Sequence, residues 1–175
     1  SGNTYQQGVP FPSYYDYGWN RYIFSEAEIG TSVTSINKLY VYAKTSSSSS
    51  NTQNNQLIYL KNVGATTAFT STSYPGTGGY TQVYSNSITI PGSNYAWVEI
   101  DITDWAYSGS GSVEILWISN DGSWDSPWCY GTYSTESTAQ HVGKNSDGSN
   151  YQSGTLYNSG LYCKFNTTTS SPDPY

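Results

Sequence analysis

Methionine is absent from this chain of 175 residues, position 1 included. A polypeptide without its initiator residue is expected to be processed or trimmed, and loss of a secretory signal peptide is the simplest cause. Charge is scarce as well: Asp, Glu, Lys and Arg make up 10% of the residues, and 6 cations stand against 12 anions for a formal charge of -6. That balance removes the basic stripe on which nucleic-acid affinity rests, so nucleic acid is not expected as a partner. No apolar run approaches the roughly 20 residues of a membrane helix, so membrane insertion is not expected either. Histidine occurs once, as His141 in "TAQHVGKNSDG". The setting is loop-like and has no nucleophile elbow, which leaves triad hydrolysis without a recognisable base and suggests a surface or hairpin histidine.

Aromatic residues, by contrast, supply 17% of the chain. Together with abundant Thr, they favour pleated, half-buried surfaces over helices. The length suits one domain, with about 70% of the unfolded chain's surface buried on folding. "TSVTSINKLYVYAKT" and "QLIYLKNV" read as strands, with the polar run "SSSSSNTQNN" between them as a loop. "YAWVEIDIT" alternates cleanly, placing Val98, Ile100 and Ile102 on one face and Trp97, Glu99 and Asp101 on the other. "GSGSVEILWISNDGS" runs mostly apolar from Val113 to Ile118 and ends in the turn signal Asn120-Asp121-Gly122. A last strand, "SGLYCKFNTTT", sets Leu161, Cys163 and Phe165 on one face. Ser25-x-x-Glu28 matches a capping box and predicts a short helical turn. The fold class is therefore all-β, an antiparallel jelly-roll-like β-sandwich. A single domain is expected over 1–175, with flexible segments at 1–9 and 167–175.

Cys129 and Cys163 are the only cysteines. An even count in a low-charge, Asn-rich chain reads as an extracellular disulfide, which would stabilise the fold by roughly 4 kcal/mol on the chain-entropy view. Two buried free thiols are the alternative.

Several stretches together resemble a jelly-roll domain common in secreted Bacteroidota proteins. "PFPSYYDYGWNRYIFSEAEIGTSVTSINKLYVYA" resembles the start of that domain, with its Pro-Phe step, aromatic pair, Tyr-Ile-Phe step and Glu-Ile segment. "LIYLKNVGATTAFTST" is similar to its strand and Thr-rich connection. "TQVYSNSITIPGSNYAWVEIDITDWAYSGSGSVEILWISNDGSW" is similar to its central hairpins, and "GLYCKF" to its closing strand. The resemblance spans nearly the whole chain. It implies extracellular adhesion, carbohydrate contact or structural assembly.

The opening stretch, Pro10 to Gly30, holds 7 aromatic rings and the only arginine, Arg21. In an extended segment Trp19, Arg21 and Ile23 share a face. The guanidinium is thus expected to lie against the Trp19 ring and reach Glu26, Glu28 or another carboxylate, a structural role; binding of an acidic ligand is the alternative. Glu99, Asp101, Asp104 and Glu114 fall on or near neighbouring strands. A glycosidase needs only two carboxylates, but exposed strand faces also carry them for solubility. Asn120, Asp121 and Asp125, and likewise Asn145, Asp147 and Asn150, offer oxygen ligands for Ca²⁺, the one cofactor suggested. Neither set has EF-hand spacing, and Asx-turn chemistry explains both.

"WDSPWCYGTY" is the candidate site for a sugar or a partner. Trp124, Trp128, Tyr130 and Tyr133 offer flat faces, with Asp121 and Asp125 as polar neighbours, although the same rings suit core or intersubunit packing. Asn166-Thr167-Thr168 is the one Asn-x-Ser/Thr glycosylation acceptor.

Two functions follow from these features. The first is a non-catalytic structural subunit of an extracellular or cell-surface bacterial fibre, a homopolymer joined head to tail by strand exchange. The donor strand would be anchored by Tyr5 and Val9 of the amino-terminal segment. The second is a carbohydrate-binding or adhesin module whose partner is a polysaccharide.

Overall fold

The computed structural model describes residues 4–7, 9–92, 94–149 and 151–169. Among the described residues twelve strands and one helical turn follow one another: β1 (Thr4–Gln7), β2 (Tyr17–Phe24), α1 (Glu26–Ile29), β3 (Val33–Thr45), β4 (Asn51–Gly64), β5 (Thr81–Ile90), β6 (Ala96–Ala106), β7 (Ser112–Ser119), β8 (Cys129–Thr135), β9 (His141–Ser146), β10 (Thr155–Tyr157), β11 (Ser159–Leu161) and β12 (Cys163–Thr169). Every pairing between them is antiparallel. One sheet runs β10-β9-β2-β7-β4-β5. The other is built on β3, with β6 along one edge and β12 and β8 along the opposite edge; β8 in turn carries β1 and β11. From β2 to β4 successive strands switch sheets, so each crossing draws the two layers together as the expected β-sandwich.

The two inner faces close on Phe11, Tyr22, Ile36, Leu39, Ile58, Leu60, Ile100, Ile115 and Trp117, all almost fully buried. Phe11 meets the Trp117 ring edge-on, with centroids 5.2 Å apart. Side chains of this size contribute roughly 1.5–3 kcal/mol each when removed from water. Along β6 the expected alternation holds, with Val98, Ile100 and Ile102 inward and Glu99 and Asp101 exposed. On β3 the inward positions Val33, Ile36, Leu39, Val41 and Ala43 change phase at a register shift between Ile36 and Lys38. A bulge there keeps the apolar set on the core side. The helical turn forms where the capping pattern places it: the Glu28 carboxylate accepts hydrogen bonds from the Ser25 N–H and Oγ, each 2.7 Å.

β7 is buried at every position, unusual for a strand of an antiparallel sheet with one wet face. The connection from β4 to β5, residues 65–80, lies over the outer face of its sheet. There Phe69 joins Trp19, Ile23, Leu116, Ile118 and Val142 in a second apolar cluster, with Tyr74 and Tyr80 against it. The Phe69 N–H donates to the Ala139 carbonyl at 2.7 Å, and the Gly154 N–H donates to Thr72 at 2.7 Å.

Three expectations change. The run 46–55 is not loop throughout, because β4 begins at Asn51. Asn51, Gln53 and Gln56 are buried there among protein partners: Gln53 Nε2 donates to Asn51 Oδ1 at 2.7 Å, Gln56 Nε2 donates to Ser119 Oγ at 2.7 Å, and Trp117 Nε1 donates to Gln56 Oε1 at 2.9 Å. His141 is not in a loop; it opens β9 and is buried.

The third correction concerns Cys129 and Cys163, which form no disulfide. Both lie on strands along the same edge of β3, but Cys129 sits opposite Thr45 and Cys163 opposite Val41. Four residues of extended chain separate those partners by about 13 Å, whereas bridged Cα atoms lie within roughly 7 Å. Each thiol is therefore isolated, and burial pushes both up to about 12.

Candidate functional site

The chain's sole arginine is structural in its geometry. Arg21 on β2 reaches across to Glu114 on β7, with Nε 2.5 Å from Oε1 and Nη2 3.1 Å from Oε2. The Tyr80 hydroxyl also donates to that carboxylate. Burial, then the Glu114 carboxylate, raise the Tyr80 phenol well above its usual range. Arg21 and Trp19 share the outer face of their sheet, as their alternation requires. The guanidinium lies over the Phe69 ring, 4.4 Å from its centroid, while Trp19 packs edge-on against Tyr74 at 5.6 Å. The aromatic partner is therefore Phe69, and the carboxylate is Glu114 rather than Glu26 or Glu28. Sequence alternation places Arg21 on its face; it carries no information on which loop will cover that face.

His141 is held between the rings of Tyr22 and Tyr157, stacked at 4.7 and 4.8 Å. Its Nε2 is 2.9 Å from Asn20 Oδ1, and its Nδ1 is 3.5 Å from Ser159 Oγ. Burial lowers the imidazole to about 3. A base that weak does little to deprotonate a serine at neutral pH, so the Asn20–His141–Ser159 arrangement is a satisfied polar core. The carboxylates considered for glycoside chemistry do not converge. Glu99 and Asp101 face outward on β6, while Glu114 is engaged by Arg21 on the far face of the other sheet.

In the first set of metal candidates, Asn120 and Asp121 are engaged by protein groups. Asn120 Oδ1 accepts from the Tyr151 hydroxyl. The Asp121 carboxylate accepts from the Asn54 N–H and Nδ2, both 3.1 Å. Asp125 is raised to about 6 by burial, then by the neighbouring Asp121. Among the described residues no group of three or more His, Cys, Asp or Glu could hold a metal ion. Asn150 of the second set lies outside the described residues.

The four aromatic residues expected to act together divide into two pairs. Trp124 and Trp128 line an open groove of about 460 Å³ with Tyr14, Asp16 and Asp147. Tyr130 and Tyr133 lie instead on β8, at the seam with the amino-terminal strand, where Gln7 pairs with Tyr130, Gln6 with Gly131, Tyr5 with Thr132 and Thr4 with Tyr133. Among the described residues β1 pairs with β8 alone. The chain then turns inward. Val9 is buried, and its carbonyl crosses so close over Gly131 that a Cβ there would lie 1.9 Å from it. Glycine at 131 thus opens a notch that admits the segment leading from β1. Tyr5 is opposite Thr132 in β1, and the tail 170–175 lies outside the described residues.

Sequence reasoning missed an aromatic face on the outside of the β3 sheet. Tyr42 packs against Tyr95, Trp97 and Tyr162 at 5.5, 5.1 and 6.0 Å. Lys164 Nζ lies 3.9 Å from the Trp97 centroid, and Lys44 Nζ lies 4.7 Å from that of Tyr95. The outward alternation of Tyr40, Tyr42 and Lys44 on β3 was the available signal. In comparisons with known proteins, no family model matches the chain and no curated protein matches it.

Proposed function

We propose that this chain is a non-catalytic structural subunit of an extracellular bacterial fibre, assembled head to tail by donating its amino-terminal strand to the β8 edge of a neighbour. The observation that carries this reading is the position of β1: a short strand of four residues at a sheet edge, attached through β8 alone among the described residues. A strand so placed can leave its own sheet and add to the same edge of another copy. The backbone donors and acceptors of β8 are then satisfied in the same register, and the bonds broken within one subunit reform between two. Exchange of identical elements costs little for that reason, and a head-to-tail exchange grows into an open filament where its rotation does not close a ring. Val9, seated at the Gly131 notch, anchors the donated segment.

The jelly-roll resemblance to secreted Bacteroidota modules belongs to the same reading. So does glycosylation at Asn166, which is exposed on β12 and open to a glycan. Because the thiols are unpaired, secretion rests on composition and resemblance, with no disulfide to support it.

Cross-linking tests the exchange. In a background with Cys129→Ser and Cys163→Ser, the changes Tyr5→Cys and Thr132→Cys place two thiols at partnered positions. Oxidised assemblies should give a ladder of covalent multimers on a non-reducing gel. Exclusively intramolecular bridging in assembled material would contradict strand donation.

A further inference from the structure

We propose that the groove formed by Tyr14, Trp124 and Trp128, with Asp16 and Asp147 at its rim, binds the sugar rings of a neutral polysaccharide. The site is separate from the β1–β8 seam and does not depend on fibre assembly. Trp124 is 64% exposed, Tyr14 50% and Trp128 37%, and these are the exposed large hydrophobic side chains among the described residues. All three line the same groove. The chain buries Trp19 and Trp117 completely, so it has the means to hide tryptophan and does not do so here. Apolar rings gathered on one exposed patch with a polar rim mark a contact surface.

The groove is built rather than loosely draped. The Ser13 carbonyl accepts the Asp125 N–H at 2.8 Å, and Ser13 Oγ accepts the Cys129 N–H at 2.7 Å. Trp128 and Ser46 exchange two bonds: the Ser46 N–H donates to the Trp128 carbonyl at 2.8 Å, and the Trp128 N–H donates to Ser46 Oγ at 3.0 Å. The Asp16 carbonyl accepts the Gly122 N–H at 2.8 Å. Tyr14 stands edge-on to Trp128, with centroids 5.4 Å apart and planes at 83°. The Tyr14 and Trp128 rings, set against each other before a ligand arrives, lose little entropy on binding. The volume of about 460 Å³ falls within the range of roughly 300–1,000 Å³ typical of ligand sites.

The chemistry selects the occupant. Flat aromatic faces accept the C–H faces of pyranose rings, and the carboxylates of Asp16 and Asp147 accept hydrogen bonds from sugar hydroxyls. Two carboxylates on a chain of net charge -6 oppose uronates, sulfated glycans and other anions. A second copy of the chain fits less well, because it has little positive charge to set against those aspartates. Of its 6 cationic residues, Arg21 is paired with Glu114 and Lys38 with Glu99. Lys44, Lys61 and Lys164 lie over the rings of Tyr95, Tyr80 and Trp97, which leaves Lys144, exposed on β9, as the sixth. A neutral, hydroxyl-rich chain requires no such charge.

Native affinity electrophoresis tests this with four soluble probes: a mixed-linkage β-glucan, a xylan, a galactomannan, and polygalacturonate as the anionic control. The full chain should be retarded by at least one neutral probe and not by polygalacturonate. Trp124→Ala should weaken that retardation about tenfold or more, a loss of about 1.4 kcal/mol, with unchanged thermal stability because the ring is exposed. It should also leave fibre formation intact. Absence of retardation by all three neutral probes would overturn the proposal, as would retardation that survives Trp124→Ala. Loss of self-association in Trp124→Ala would assign the groove to a second copy and overturn it equally.

Discussion

Arg21 grips Glu114 at two points across the β2–β7 pair, and the plane of its guanidinium is covered by Phe69 from the β4–β5 connection. The ion pair thus fastens a long loop onto the outer face of a sheet, with the Tyr80 hydroxyl as a third tie. Lysine retains the charge but lacks the planar fork. Arg21→Lys should therefore destabilise the fold by roughly 1–3 kcal/mol, and Arg21→Ala, which strands a buried carboxylate, by about 3–5 kcal/mol. Urea titration measures both; an unchanged midpoint for Arg21→Lys would remove this role.

The separation of Cys129 from Cys163 sets the redox behaviour. Quantitative labelling of denatured, unreduced protein should find two thiols per chain. In the folded protein Cys129 should react slowly, since it is buried and held up to about 12 and the thiolate is the reactive form, while the half-buried Cys163 should react faster than Cys129. Labelling that finds none in the denatured chain would contradict the strand register of β8 and β12 against β3.

His141 fixes the sign of a pH dependence. Its folded value of about 3 lies below the unfolded value of about 6.5. The unfolded chain thus binds the extra proton between those limits, and this group's contribution is complete above pH 6.5. As pH falls below that, stability should decline by up to about 1.4 kcal/mol per unit. An imidazole carbon-bound proton resonance that stays at its neutral position down to about pH 4 would match the environment between Tyr22 and Tyr157. A midpoint near 6.5 in the folded protein would contradict it.

Much of the sandwich is legible in the sequence because strand alternation is a local signal. Val98, Ile100 and Ile102 declare an inward face, and the mostly apolar run Val113–Ile118 declares a strand. What escaped is long-range. No local pattern says that Asn51, Gln53 and Gln56 will be buried inside a sheet, with Gln56 held by Ser119 and Trp117, or that polar residues after a serine run will extend β4. Nor does spacing along the chain reveal that two cysteines on neighbouring strands meet β3 four residues apart. For the candidate groove, Trp124 and Trp128 stood out by composition, but Tyr14 and Asp16 arrive from the opening stretch only through the fold.

Gly131 links β8 to the segment after β1. A methyl group there meets the Val9 carbonyl, which belongs to the backbone and cannot simply rotate away. Gly131→Ala should unseat Val9, lower stability by about 1–3 kcal/mol, open the amino-terminal segment to proteolysis and impair fibre growth. Fibres formed at the normal rate by this variant would argue that the notch has no part in assembly.

Strand donation by the amino-terminal segment is tested most directly by electron microscopy of three proteins under identical conditions: the full chain, the chain lacking Ser1–Gly8, and the chain lacking Ser170–Tyr175. The full chain and the tail deletion should form filaments. The amino-terminal deletion should remain folded by circular dichroism and form none. Filaments from the amino-terminal deletion with none from the tail deletion would reverse the donor, and a full chain that never forms filaments would contradict the fibre reading itself.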